Sequence, residues 1–329
     1  MEATLLYAER LADIGGIDLY DRGKIREAYS LSKKALEVLD KQGALPATPL
    51  RSDALTIIGL CTDVMNIDKR KEGLDVRRKC LKIRETCLGQ IPPATVTLED
   101  KIRLCNSYTD LVCSLQHLYD FEEVERNCET CLSQYTRWGS EDELPYEYAK
   151  YYNHMAYVHL FRNEGDKAVE FAKKGYELAN ILFQHGDVEN AIKEHKEMLR
   201  TRKTECGKEN IRTLETRPNL GIISFFAGDL DYAEKQINKT LAMKNRPFWP
   251  THNTTRAKYY LSQILRKRNP DSRRGIELEN EAKASLKDLL AFEGTGKADA
   301  YAGDLAILFD YIVPWECRLV TPRMVARGY

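Results

Sequence analysis

The sequence predicts an all-α fold built as a stack of antiparallel helical hairpins, and three observations predict it. Turn signals at Asp21-Arg22-Gly23, Asn163-Glu164-Gly165-Asp166, His185-Gly186-Asp187 and Ala227-Gly228-Asp229 each interrupt an apolar helical pattern and let a second one start. Glycine ends a helix readily and aspartate caps the next, so each turn reads as the bend of a hairpin. Small residues recur at fixed spacing inside the hairpins, and strand signals are weak along the whole chain.

The small-residue code justifies each element in order. A second small residue follows the first by about twelve positions, and a third follows by about seven more. The first hairpin carries Gly16, Ala28 and Ala35, and the second Cys61, Gly73 and Cys80. In the third, Val112, Val124 and Cys131 hold the columns, with only the last one small. The fourth carries Ala156, Ala168 and Gly175, and the sixth Gly221, Ala233 and Thr240. Small side chains belong where helix axes cross closely, at roughly 8 to 10 Å. The code therefore describes packing and needs no chemistry to explain it.

One interval breaks the pattern. Ala168 and Ala191 hold the same column in successive hairpins but lie about 23 residues apart, where neighbouring hairpins lie 42 to 51 apart. About one helix of chain is missing. The reading is that 166–184 forms one continuous helix serving two hairpins, followed by a helix from Asp187 to about Glu205. The inner and outer assignment of later helices is then exchanged, with a kink or a junction of two stacks near residues 184 to 187. An evolved deletion and a misplaced exon boundary both account for the gap. On this reading residues 1–184 form an N-terminal set of hairpins and 185–292 a second set. Residues 293–329 form a capping helix with an apolar tail. Leu305, Leu308 and Phe309 face the stack, and 313–323 either packs over the last hairpin or binds a partner.

The spacing resembles the tetratricopeptide repeat, whose unit is two antiparallel helices stacked on its neighbours. The period, close to 42 from Ala191 to Ala233, is longer than that family's usual 34. It is similar to the kinesin light chain subtype, whose second helix ends in Leu, Arg and a closing Gly. Cys80-Leu81-Lys82-Ile83-Arg84 through Gly89 matches that ending, as does Met198-Leu199-Arg200-Thr201-Arg202 through Gly207. The resemblance covers roughly residues 5 to 290 and is to stand-alone fungal repeat proteins of this kind. It implies a right-handed superhelical solenoid whose first helices line a concave groove for extended peptides or helices. It also implies alternatives: an accessory of a metabolic or biosynthetic pathway with hidden catalytic activity, or a sensor or oligomerisation partner of a signalling NTPase.

Composition bounds the remaining classes. Fifty basic residues balance fifty acidic ones, so no whole-chain field draws the protein to nucleic acid or membrane. The densest basic runs, Arg77-Arg78-Lys79 and 266–274, read as solvated helix faces. No apolar run approaches a membrane span and the N-terminus lacks a secretory pattern, so the expectation is a cytoplasmic chain, with the nucleus left open. Self-association is left open too. Nine cysteines have no matching metal-ligand pairs beyond Cys128 and Cys131, one helical turn apart, and read as packing residues.

Enzymatic and cofactor constellations are not found. His154 reads as a polar residue on a helix face. Gly294-Thr295-Gly296-Lys297 ends like a phosphate-binding loop but has Ala298 where Ser or Thr is required and a helix where a strand must precede it. The expectation is a non-enzyme with no cofactor and no metal. Its groove would bind a protein or peptide through Asn106, Thr109 and Gln116 on the third hairpin, Lys150, Asn153 and Tyr157 on the fourth, and Glu215 and Asn219 on the sixth. Amides can pair with a peptide backbone and tyrosine offers a flat contact at little entropy cost.

Overall fold

A computed structural model describes residues 10, 12, 24–41, 47–65, 69–118, 120–175, 178–246, 249–291, 303–313 and 317–320. The first predicted helix with Gly16, the turn at 21–23, the link at 294–297 and the tail from 321 onward lie outside them. All regular structure among the described residues is helical. The chain divides into two compact units, the first ending at Phe161 and the second beginning at Arg162. The sequence-derived boundary at 184/185 lies inside the second.

Unit 1 holds α1 (Ile25–Lys41), α2 (Pro49–Val64), α3 (Arg70–Gln90), α4 (Leu98–His117), α5 (Phe121–Trp138) and α6 (Pro145–Phe161). Each packs on the next, and α4 also touches α2 and α6, which makes these three the inner layer. Local chemistry sets the boundaries. Thr48 accepts from the Arg51 N–H ahead of Pro49, Thr97 and Asp100 form a reciprocal capping box, and Asp120 accepts from the Glu123 N–H. Such caps satisfy donors that a helix start leaves open. On α1 the buried set Ile25, Ala28, Ser32, Ala35 and Leu39 repeats at steps of three and four, one face of a 3.6-residue helix.

Unit 2 holds α7 (Gly165–Lys174), α8 (Leu178–His185), α9 (Val188–Glu205), α10 (Ile211–Phe226), α11 (Leu230–Leu241), α12 (Thr251–Arg268), α13 (Arg273–Ala291) and α14 (Leu305–Tyr311). From α7 to α13 each packs on the next, α10 touches α12, and α12 touches α14. Phe183 of α8 lies 5.5 Å from Phe226 of α10 between ring centroids. The inner layer here is therefore α8, α10 and α12, with α14 packed on α12.

Most of the described small-residue code marks buried helix contacts, with half-buried Gly175 as a departure that ends α7 instead. Ala28, Ala35, Cys61, Val112, Val124, Cys131, Ala156, Ala168, Ala191 and Ala233 are all fully buried. A Cβ on Gly73 would stand 2.5 Å from the Thr62 Oγ1, and one on Gly221 would stand 3.0 Å from Ile237. The turns behave as read at Gly186 and Gly228, whose φ of 106° and 84° only glycine adopts without strain. Asp187 and Asp229 then cap the next helix. At 163–166 the turn is built differently. Asn163 takes the left-handed conformation at φ 66°, and Glu164 occupies the cap position without a side-chain bond. Asn tolerates that conformation, so Gly165 and Asp166 are left inside the helix.

The single helix expected over 166–184 is not formed. Gly175 ends α7 after ten residues with extended backbone, and α8 starts at Leu178 and runs for eight. The missing chain is thus about half of each of two helices. Ala179 on α8 precedes Ala191 by the usual twelve positions, and both are buried. Within unit 2 the alternation is regular, with α8, α10 and α12 set between α7, α9, α11 and α13. Residues 185–187 form an ordinary hairpin turn, and the irregularity sits at Gly175.

Candidate functional site

In unit 1, the inner helices α4 and α6 bring several predicted residues together. The Lys150 ammonium donates to the Asn106 Oδ1 at 2.7 Å and lies 4.3 Å from the Tyr146 ring centroid. Tyr146 itself is exposed. Burial pulls the Lys150 pKa below its ordinary value, while Asp110 and Glu147 pull it back up. Thr109 is buried and returns its hydroxyl to the Asn106 carbonyl of its own helix at 3.0 Å. Asn153 and Tyr157 are buried, which leaves Asn106, Lys150 and Tyr146 as the accessible part of this face.

Gln116 does not face solvent. Its Oε1 lies 3.1 Å from the His154 Nδ1, and both side chains are buried. Burial, reinforced by the Lys150 and Arg77 charges, depresses the His154 pKa to about 3, so the ring is neutral. The sequence reads His154 as a polar residue on a helix face, and that face turns inward where α6 packs on α4. Arg77, expected on a solvated face, is corrected to a buried position. It is 2% exposed, pairs with Asp63 and the Asp110 carbonyl, and donates to the Ser114 Oγ at 3.3 Å. Burial opposes its charge, but Asp63 prevails and the guanidinium is held charged. Arg78 beside it remains exposed.

In unit 2, Glu215 and Asn219 lie on α10 and are both buried. The Glu215 Oε1 accepts from the Asn253 Nδ2 at 3.3 Å, and the Asn219 Oδ1 accepts from the Arg256 Nη1 at 2.9 Å. Arg256, on α12, is the centre of this site. Its guanidinium pairs with the Asp310 Oδ1 of α14 at 2.6 Å with both side chains 1% exposed, and it donates to the Cys317 carbonyl at 3.0 Å. Burial pushes the Asp310 carboxyl up, and Arg256 with the Leu319 and Val320 N–H groups pulls it back toward the charged form.

The described tail residues therefore run over the inner layer. The Gln184 Nε2 on α8 donates to the Arg318 carbonyl at 3.0 Å, and Leu319 and Val320 are buried. The ring of Phe309 stacks on Tyr259 of α12 at 4.1 Å. Gln184, Arg256 and Asp310 carry the site without having been singled out in the sequence. The available signal was Asp310, a lone carboxylate inside the apolar run 305–313, because a buried charge requires a partner.

The basic run on α12 and α13 is matched by acid. Arg266 pairs with Glu279, Arg268 with Asp231 and Glu234, Arg273 with Glu277, and Arg274 with Glu277 and Glu281. Among the described residues, no group of three or more His, Cys, Asp or Glu side chains has metal-binding geometry, and no helix is long and apolar enough to cross a membrane.

No protein-family model matches the chain, and no curated protein matches it. Among solved structures it is similar to the crystal structure of BtubC (BKLC) from P. vanneervenii. The identity is 18%, 68% of this chain and 92% of that chain are covered, and the TM-score is 0.49.

Proposed function

We propose that the protein is a non-enzymatic scaffold that binds protein segments along the inner helices of its hairpin units. One observation carries this reading. In unit 2, inner-helix side chains already grip the main chain of the segment that follows α14, Gln184 at the Arg318 carbonyl and Arg256 at the Cys317 carbonyl. Side chain to main chain bonds of this kind recognise a peptide without demanding much of its sequence. In unit 1, Asn106, Lys150 and Tyr146 offer an amide, an ammonium and an exposed ring on the corresponding inner face.

Ion pairing of the basic run on α12 and α13 supports a protein partner over a nucleic acid, since phosphate binding needs uncompensated basic charge. A cytoplasmic location, no membrane partner and no cofactor belong to the same proposal. The test is affinity capture from native cells with wild type and with the double variant Asn106→Ala/Lys150→Ala. Capture of a protein that the variant loses, at an unchanged melting temperature, is the expected outcome. No captured protein, or capture equal in wild type and in variants of both inner faces, overturns the reading.

A further inference from the structure

We propose that the inner face of unit 2 is a peptide site kept shut by the chain's own C-terminal segment, and that it opens to a partner segment bringing a carboxylate to Arg256. The inference rests on the scaffold reading and adds its regulation and the chemistry of the partner.

The segment, residues 304–313 with 317–320, is built to leave as a module. Among the described residues, a set of its polar bonds closes on itself. Asp304 caps α14 at the Ile307 N–H, and Asp310 accepts from the Leu319 and Val320 N–H groups. The Arg318 guanidinium donates to the Tyr311 and Val313 carbonyls and covers the Tyr311 ring. Those groups keep their partners when the module detaches, so its departure strands few polar atoms within it.

The polar links from the module to the rest of unit 2 are of a different kind. Gln184 and Arg256 bind main-chain carbonyls, which any segment supplies. Among the described residues, the ion pair from Arg256 to Asp310 is a link that selects a side chain. Once the module leaves, a guanidinium held by Asn219 is stripped of its counter-ion. A segment that fills the groove without an anionic group leaves that charge unpaired, which a buried site tolerates poorly. The partner is therefore a segment with an acidic side chain and an apolar pair in the places of Leu319 and Val320. The resident module belongs to the same chain and so competes at an effective concentration on the order of mM, which a partner segment must exceed.

The test uses the full chain and a fluorescently labelled synthetic peptide of sequence 303–320, read by anisotropy. Wild type binds the peptide weakly because the site is filled. Asp310→Ala frees the site, and the peptide binds about tenfold or more tightly, a factor set by loss of the resident ion pair. In that background, Arg256→Met or a peptide with Asn in place of Asp310 abolishes the gain. In wild type, hydrogen exchange at Leu319 and Val320 runs at least about tenfold faster than at Leu220 and Ile222, as a locally opening element requires.

Exchange of the tail amides only with the whole unit makes the module a permanent cap and overturns the proposal, even where Asp310→Ala fails to fold. Peptide affinity unchanged by Asp310→Ala, with the tail amides loosened, overturns it as well. Equal binding of the Asn peptide removes the carboxylate requirement. A wild-type dimer with exchanged modules, seen by light scattering, assigns the site to a second copy instead. None of these outcomes touches partner capture through Asn106 and Lys150, so the scaffold reading stands or falls separately.

Discussion

Acid should unfold this protein through two histidines before its carboxylates protonate. His154 in unit 1 and His195 in unit 2 are fully buried, and burial depresses both pKa values to about 3. Lys150 and Arg77 reinforce the first, and Arg202 the second. Each ring is held by an amide, His154 by Gln116 at 3.1 Å and His195 by Asn180 at 2.9 Å. Unfolding returns each ring to an ordinary value near 6.5. The unfolded chain therefore binds more protons than the folded one between these limits, and stability falls as pH falls. The contribution is whole above pH 6.5 and is lost progressively down to about 3. The slope approaches about 1.4 kcal/mol per pH unit for each histidine, or ~3 kcal/mol per unit of structure by pH 4.5. That is a large share of the usual 5 to 15 kcal/mol of a domain, taken as roughly that range.

Urea unfolding between pH 7.5 and 4.5, followed by Trp138 in unit 1 and Trp249 in unit 2, measures the two slopes. His154→Gln should flatten the pH dependence of the Trp138 transition alone, and His195→Gln that of the Trp249 transition alone. A native-state NMR titration placing either ring near pH 6.5 would refute the reasoning, as would slopes that ignore both substitutions.

Other outcomes follow from the packing and the thiols. Gly73→Ala should destabilise unit 1 by about 1 to 3 kcal/mol, because the new methyl meets Thr62, whereas Gly89→Ala meets nothing within 4 Å and should not destabilise it; thermal melts compare the two. Asp310→Ala should cost unit 2 about 3 to 5 kcal/mol, with Arg256→Met/Asp310→Leu recovering most of it, as read by urea unfolding of unit 2. Among the described cysteines, exposed Cys206 should react first with a thiol reagent in the native state, while Cys61, pushed up to about 12 chiefly by burial, and Cys128, also raised by burial, should stay silent; peptide mapping after brief alkylation distinguishes them.

Much of the fold was legible because it is written in local patterns. Glycine at 186 and 228 with aspartate after it is a turn chemistry that needs no tertiary information. The buried alanines and cysteines of the code mark helix contacts at fixed intervals. The site was less legible because inner-face residues are chosen by neighbours distant in sequence. Asn106 and Lys150 meet across 44 positions, and Gln184 reaches Arg318 across 134. Gln116 and Asn219 look like solvent-facing amides on a helix wheel, yet His154 and Arg256 consume them from the adjacent inner helix. A helix wheel gives direction but not what another helix will place there.

The short interval between Ala168 and Ala191 shows how a repeat can lose chain without losing its register. Removal of one whole helix would reverse every later helix, sending α10 and α12 outward with Asn219 and Arg256. Removal of half of each of two adjacent helices keeps an even number of chain reversals. The inner layer of unit 2 is then α8, α10 and α12. Shortening places Gln184 near the C-terminal end of α8, two residues before the bend at Gly186. From there its amide reaches the Arg318 carbonyl. Trimming in pairs is thus the loss that leaves the inner face of unit 2 continuous, and a continuous inner face is what the C-terminal segment lies on.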